Sequence, residues 1–143
     1  MTHVPSLQVR VDGGQGNDSL SAAGADPGTV RLVFDGGADD DTITGSTVRD
    51  TIRGGDGNDQ LFGDGGNDLV FGGDGDDVLD GQAGDDLLRG EVGFDTLDGN
   101  TGNDLLLGGD DHDSLLGGNG NDTLFGELGN DTLNGKSGDD SVL

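Results

Sequence analysis

Gly54-Gly55-Asp56-Gly57-Asn58-Asp59-Gln60-Leu61-Phe62 is one copy of a nine-residue unit, Gly-Gly-x-Gly-x-Asp-x-(aliphatic)-x, and the unit recurs at Gly117-Gly118-Asn119-Gly120-Asn121-Asp122-Thr123-Leu124-Phe125. Outward from either copy the phase never slips between Gly36 and Leu143, which makes 12 units in 108 residues. The sixth position is Asp throughout: Asp41, Asp50, Asp59, Asp68, Asp77, Asp86, Asp95, Asp104, Asp113, Asp122, Asp131 and Asp140. The eighth is always aliphatic: Ile43, Ile52, Leu61, Val70, Leu79, Leu88, Leu97, Leu106, Leu115, Leu124, Leu133 and Val142. The first is always Gly, and one further copy, Gly13 to Ser21, stands apart with Asp18 and Leu20 in the matching places. An acid and an aliphatic side chain locked to one period give each unit a turn that wants a cation and a strand that wants a core. The array predicts a metal-dependent solenoid.

Composition alone points the other way. Only 29% of the chain is hydrophobic and its formal net charge is -24, the profile of a disordered polyanion. With 32 glycines among 143 residues, almost no window is long enough for a helix to propagate. One aliphatic side chain in nine residues buries too little apolar surface to offset the entropy of ordering the array. Something must therefore bind the folded chain and not the unfolded one, and a cation that neutralises the aspartates fits.

The ligands select the cation. The chain has no Cys, and its two histidines, His3 and His112, are isolated, so zinc and softer metals have no site. Of 30 acids only Glu91 and Glu127 are Glu. Short carboxylates on glycine-rich turns, with backbone carbonyls free to face inward, form an all-oxygen cage of flexible geometry that suits Ca²⁺ better than Mg²⁺. An EF-hand is excluded, because neither Glu closes a twelve-residue loop. The charge also repels nucleic acid. No His-Glu-x-x-His motif, phosphate-binding loop or Ser/His/Asp constellation is present, so the chain is read as non-catalytic. Absent cysteines fit an extracellular protein cross-linked by metal. Met1 to Arg10 holds no apolar stretch of signal-peptide length, and no segment could span a membrane.

Residues 1–35 differ in character. Leu7, Val9 and Val11 alternate with polar residues, as do Val30, Leu32 and Phe34, which predicts two half-buried strands. Between them lie the stray repeat and a turn-rich stretch with Asp26-Pro27-Gly28. This segment reads as an N-terminal β cap over the first rung, or as the end of an upstream domain.

The units quoted above resemble the haemolysin-type (RTX) calcium-binding nonapeptides, over residues 36–143 and more loosely over 13–21. The resemblance implies an all-β fold, a right-handed parallel β-roll (a β-solenoid) with two units per 18-residue coil, hence six coils here. In it the first six residues of a unit make a turn and the last three a strand whose eighth position points inward, giving an aliphatic ladder without an aromatic. It also implies calcium between turns two units apart, held by the sixth-position aspartates of both and by backbone carbonyls, for which we take Gly57, Gly66, Gly75, Gly84, Gly102 and Gly120. On one edge the pairs are Asp41 with Asp59, Asp59 with Asp77, Asp77 with Asp95, Asp95 with Asp113 and Asp113 with Asp131. On the other they are Asp50 with Asp68, Asp68 with Asp86, Asp86 with Asp104, Asp104 with Asp122 and Asp122 with Asp140. Up to about ten Ca²⁺ would bring the charge from -24 to about -4, so the metal-free chain should be expanded and the loaded one compact.

The match is uneven. Gly45 to Asp50 lacks glycine at positions 2 and 4 and puts Arg49 beside the cation. Asp39 and Asp111 stand at position 4, where a left-handed turn prefers Gly, and Phe94 is an unusual fifth residue. His112 is expected on a turn exterior with no role. In function the resemblance implies a calcium-binding module that folds on calcium, part of a secreted protein exported by type I secretion, with any catalysis in another domain.

The outward positions support a second reading. Alternate units show positions 7 and 9 on opposite sheets, and one sheet presents Thr51/Arg53, Leu69/Phe71, Leu87/Arg89, Leu105/Leu107, Thr123/Phe125 and Ser141/Leu143. Its apolar residues outnumber those of the other sheet 7 to 3. A one-sided stripe of Leu69, Phe71, Leu87, Leu105, Leu107 and Phe125 is a candidate contact for a partner domain, a second copy or a polysaccharide, the last because alginate epimerase modules of the family bind one.

Overall fold

The computed structural model describes residues 8–23 and 31–143. His3, Leu7, Val30 and the Asp26-Pro27-Gly28 turn lie outside the described residues. Everything regular in it is β. One sheet contains β1 (Gln8–Gln15), β3 (Arg31–Ala38), β5 (Thr51–Asp56), β7 (Leu69–Asp74), β9 (Leu87–Val92), β11 (Leu105–Asp110), β13 (Thr123–Leu128) and β15 (Ser141–Val142), in that order. The other contains β2 (Ser19–Ser21), β4 (Thr42–Thr44), β6 (Gln60–Phe62), β8 (Val78–Asp80), β10 (Thr96–Thr101), β12 (Ser114–Asn119) and β14 (Thr132–Ser137). Each strand pairs in parallel with the strand two further along the chain, so the backbone winds as a solenoid of two facing sheets.

The repeat dictates the step. Equivalent atoms of successive coils lie 18 residues apart, two units per coil, and eighth positions stack on eighth positions: Ile52 on Val70, Val70 on Leu88, Leu88 on Leu106. On the facing sheet Ile43, Leu61, Leu79, Leu97 and Leu115 do the same. These residues form one buried cluster between the sheets, the two-sided ladder that the period implies. The ladder is not wholly aliphatic. Phe34, at 2% exposure, belongs to the same cluster and packs one coil before Ile52. It lies just before the first of the twelve units, in the strand that the alternation of Leu32 and Phe34 predicts.

The stray repeat continues the stack. Val11 aligns with Phe34 and Leu20 with Ile43, with a step of 23 residues in place of 18. Asp18 thereby occupies, beside Asp41, the place that Asp41 occupies beside Asp59.

Candidate metal centres between the coils

The turns hold the aspartates in two files, one along each edge of the roll. The Asp41 N–H donates to Oδ1 of Asp59 (2.7 Å), Asp59 to Asp77 (2.8 Å), Asp77 to Asp95 (2.9 Å), Asp95 to Asp113 (2.9 Å) and Asp113 to Asp131 (3.0 Å). On the other edge Asp50 donates to Asp68 (2.7 Å), Asp68 to Asp86 (2.7 Å), Asp86 to Asp104 (2.8 Å), Asp104 to Asp122 (2.9 Å) and Asp122 to Asp140 (3.0 Å). The backbone carbonyl of each of these donors is spent on the next coil, as where the Gln60 N–H donates to Asp41 O at 2.9 Å. Each carboxylate thus has one oxygen tied to the neighbouring turn.

The other oxygen is left over. Oδ2 of Asp18, Asp41, Asp59, Asp68, Asp77, Asp86, Asp95, Asp104, Asp113 and Asp122 is buried and has no hydrogen-bond partner. A buried anionic oxygen without a donor is costly, and a row of them calls for a cation. The invariant glycines at position 1 lie directly against this oxygen. A Cβ on Gly72 would lie 2.2 Å from Asp77 Oδ2 and 2.6 Å from the Gly90 carbonyl oxygen; on Gly63 it would lie 2.6 Å from Asp68 Oδ2 and 2.7 Å from Gly81 O. A carboxylate oxygen and a carbonyl oxygen of the next coil therefore converge on each position-1 glycine, closer than any side chain there would allow. The position-4 carbonyls also face the following coil: a Cβ on Gly75 would meet Gly57 O at 2.2 Å, on Gly84 Gly66 O at 1.5 Å, and on Gly93 Gly75 O at 2.1 Å. Gly84, Gly102 and Gly120 carbonyls point in the same way at Gly102, Gly120 and Gly138. Among the described residues none of these six carbonyls accepts a hydrogen bond. No group of three or more His, Cys, Asp or Glu side chains gathers among the described residues either, so the oxygens available are few carboxylates and many carbonyls. That donor set fits Ca²⁺.

Electrostatics says the same. Burial pushes Asp68 up to about 8, and the charges of Asp86, Asp50 and Asp64 add to it. Asp77, Asp86 and Asp95 are pushed up to about 7, Asp59 and Asp104 to about 6, each by burial first and then by aspartates of neighbouring turns. Asp113 and Asp122 are raised for the same reasons. In every case the donated N–H of the preceding coil pulls the other way but loses.

Asp50 is different. Its Oδ2 accepts from the Ser46 N–H (2.7 Å) and the Ser46 Oγ–H (2.8 Å). Asp18 stands outside the twelve-unit array in sequence, yet its unpartnered Oδ2 and its N–H bond to Asp41 Oδ1 (2.8 Å) place it in the file. Asp39 and Asp111 adopt the left-handed turn at φ 77° and 79° without glycine.

A second file, at position 5, was not legible in the sequence. Asn58 N–H donates to Asp40 Oδ1 (2.9 Å), Asp76 to Asn58 (2.9 Å) and Phe94 to Asp76 (3.0 Å). Phe94 offers no acceptor in return; its ring instead packs edge-on against His112, centroids 5.8 Å apart. His112 is exposed as expected but not idle, since its Nδ1 accepts the Asn130 N–H at 2.8 Å and resumes the file.

A family model for the RTX calcium-binding nonapeptide repeat, four copies long, matches residues 10–26, 35–70, 62–97, 80–115, 90–124 and 107–142. Among curated proteins and solved structures none matches the chain. The matched segments span most of the molecule and include the stray repeat, and with the aspartate files they place the chain in the RTX calcium-binding nonapeptide-repeat family.

Proposed function

We propose that this calcium-binding repeat module folds on calcium, that it belongs to a secreted RTX-type protein, and that it has no catalysis of its own. The observation that carries the reading is the row of buried, unpartnered Oδ2 atoms. Asp18, Asp41, Asp59, Asp68, Asp77, Asp86, Asp95, Asp104, Asp113 and Asp122 would supply those oxygens, with Asp131 and Asp140 closing the files and the Gly57, Gly66, Gly75, Gly84, Gly102 and Gly120 carbonyls assisting. Bound calcium supplies positive charge between carboxylates that otherwise repel across the coils. Without it the ionised aspartates oppose the compact state, so the chain would stay expanded where calcium is scarce and fold outside the cell, as type I secretion would require. The test is the calcium content of the folded protein, counted per chain after desalting; a chain that folds and retains none would end the proposal.

A second role is favoured by one surface. Leu69, Phe71, Leu87, Leu105, Leu107 and Phe125 form a contiguous, half-buried row on the outside of the β5–β7–β9–β11–β13 sheet, and the Arg53 guanidinium lies over the Phe71 ring at 5.4 Å. A partner domain, a second copy or a polysaccharide would find there aromatic and aliphatic contact beside cations. Replacing Leu69 and Phe71 by Lys should abolish that contact while leaving calcium content unchanged; unchanged oligomeric state and unchanged polysaccharide retention would remove this reading.

A further inference from the structure

The Gly45–Arg53 unit departs from the pattern at two positions, Ser46 and Val48. The second position of the other units is left-handed, whether it is Gly55 (φ 123°), Asp64 (φ 73°), Gln82 (φ 68°) or Glu91 (φ 86°); Ser46 is not among the residues with positive φ. This different backbone turns Ser46 inward. Ser46 and Asp50 are both 0% exposed. The Asp50 carboxylate then has three donors: Leu32 N–H to Oδ1 (3.1 Å), and Ser46 N–H (2.7 Å) and Oγ–H (2.8 Å) to Oδ2. In no other unit does Oδ2 of the sixth-position Asp accept a hydrogen bond among the described residues.

We propose that Ser46 takes the place of a cation at Asp50, so that the Gly45–Asp50 turn closes without metal and Asp50 is not a calcium ligand. The proposal rests on the reading that the remaining aspartates bind calcium. Two physical arguments carry it. A carboxylate oxygen offers about two lone-pair directions, and both of those on Asp50 Oδ2 are taken by Ser46. The geometry agrees: a Cβ on Gly45 would stand 3.0 Å from Asp50 Oδ2, whereas along the same edge the corresponding distance is 2.6 Å at Gly63, 2.5 Å at Gly81 and Gly99 and 2.4 Å at Gly117. The carboxylate has swung from the glycine cradle toward the serine. The Asp50–Asp68 space therefore drops out of the metal files, while Asp18 with Asp41 enters them.

The test counts bound calcium per folded chain in the wild type, Asp50→Asn and Asp86→Asn. We expect Asp86→Asn to lose at least one ion and Asp50→Asn to keep the wild-type number. An equal loss in both variants would overturn the inference alone. A wild type that holds no calcium would overturn the calcium reading and this inference with it. Should Asp50→Asn fail to fold, Ser46→Ala decides: its calcium count stays at the wild-type value and the folding equilibrium of the loaded protein falls roughly ten-fold, as expected for a lost hydrogen bond to a buried charge. A Ser46→Ala protein as stable as wild type would refute the closure.

Discussion

Substituting Ala for Gly72 tests the cradle directly, because Gly65→Ala supplies a control one unit away. The Cβ at position 72 would be 2.2 Å from Asp77 Oδ2, 3.0 Å from Asp77 Cγ and 2.6 Å from the Gly90 carbonyl oxygen. The last of these is backbone of the next coil and cannot swing aside, so the coils must part by several tenths of an ångström. Overpacking of this kind costs about 1–3 kcal/mol. Moving Asp77 also loosens the Asp59 N–H bond to its Oδ1 (2.8 Å), a charge-assisted bond worth about 1.5–3 kcal/mol. Together the loss should be about 2.5–6 kcal/mol. At Gly65 the nearest atom to an added Cβ is 3.6 Å away, and the residue in line with it on the next coil is already an alanine, Ala83. Gly65→Ala should be neutral or stabilising by up to about 1 kcal/mol, through the unfolded state. Urea unfolding of the calcium-loaded variants, followed by circular dichroism, compares the two. If Gly72→Ala unfolds within about 0.5 kcal/mol of Gly65→Ala, the crowding between coils is not what requires glycine at position 1.

Other perturbations give separate readings. Asp86 borders two inter-coil spaces, so Asp86→Asn should weaken calcium binding there by at least about ten-fold and raise the calcium concentration needed for folding; an unchanged titration midpoint would remove Asp86 from the ligands. The folded, metal-free chain holds Asp68 up at about 8 and Asp77, Asp86 and Asp95 at about 7, against 3.8 for the unfolded chain. The folded state then binds more protons, so metal-free stability should rise as pH falls from about 8 toward 5 and be lost again as pH rises through about 6 to 8. Metal-free protein equally unfolded at pH 5 and pH 8 would contradict this. Leu88 is fully buried, and Leu88→Ala should cost about 2–5 kcal/mol in the loaded protein, while Val78→Ala, at a position 42% exposed, should cost no more than about 0.5 kcal/mol; similar losses would deny the ladder its role.

The regular part of the molecule was legible because the repeat is strict. A period of nine with Asp at 6 and an aliphatic at 8 leaves little choice of which side chain faces the core, and Leu61, Val70 and Leu79 lie where that pattern sends them. What escaped the sequence depends on breaks in the period or on contacts 18 residues away. The alternation of Leu32 and Phe34 predicted a half-buried strand, but not that Phe34 would extend the aliphatic ladder, because it stands before the first motif glycine, Gly36. Asp18 was legible as a motif position, but its place in the aspartate file was not, because the 23-residue step puts the stray repeat out of phase with the array while leaving it in register in space. The position-5 file, including the His112 bond to Asn130, runs between a side chain and the backbone of the next coil, and no local signal marks it. Ser46 registered in the sequence only as a missing glycine; its bonds to Asp50 follow from a turn geometry that composition does not reveal.

On the reading proposed above, the buried aspartates make folding conditional on calcium. The most direct measurement is far-ultraviolet circular dichroism with sedimentation velocity at neutral pH, titrating Ca²⁺ into chelator-treated protein, with Mg²⁺ in parallel. A transition from coil to β-structure, accompanied by compaction and produced by Ca²⁺ but not Mg²⁺, is the result expected. A chelated chain that is already compact and β-structured would show that the aliphatic ladder and the strand hydrogen bonds suffice, and would contradict the claim.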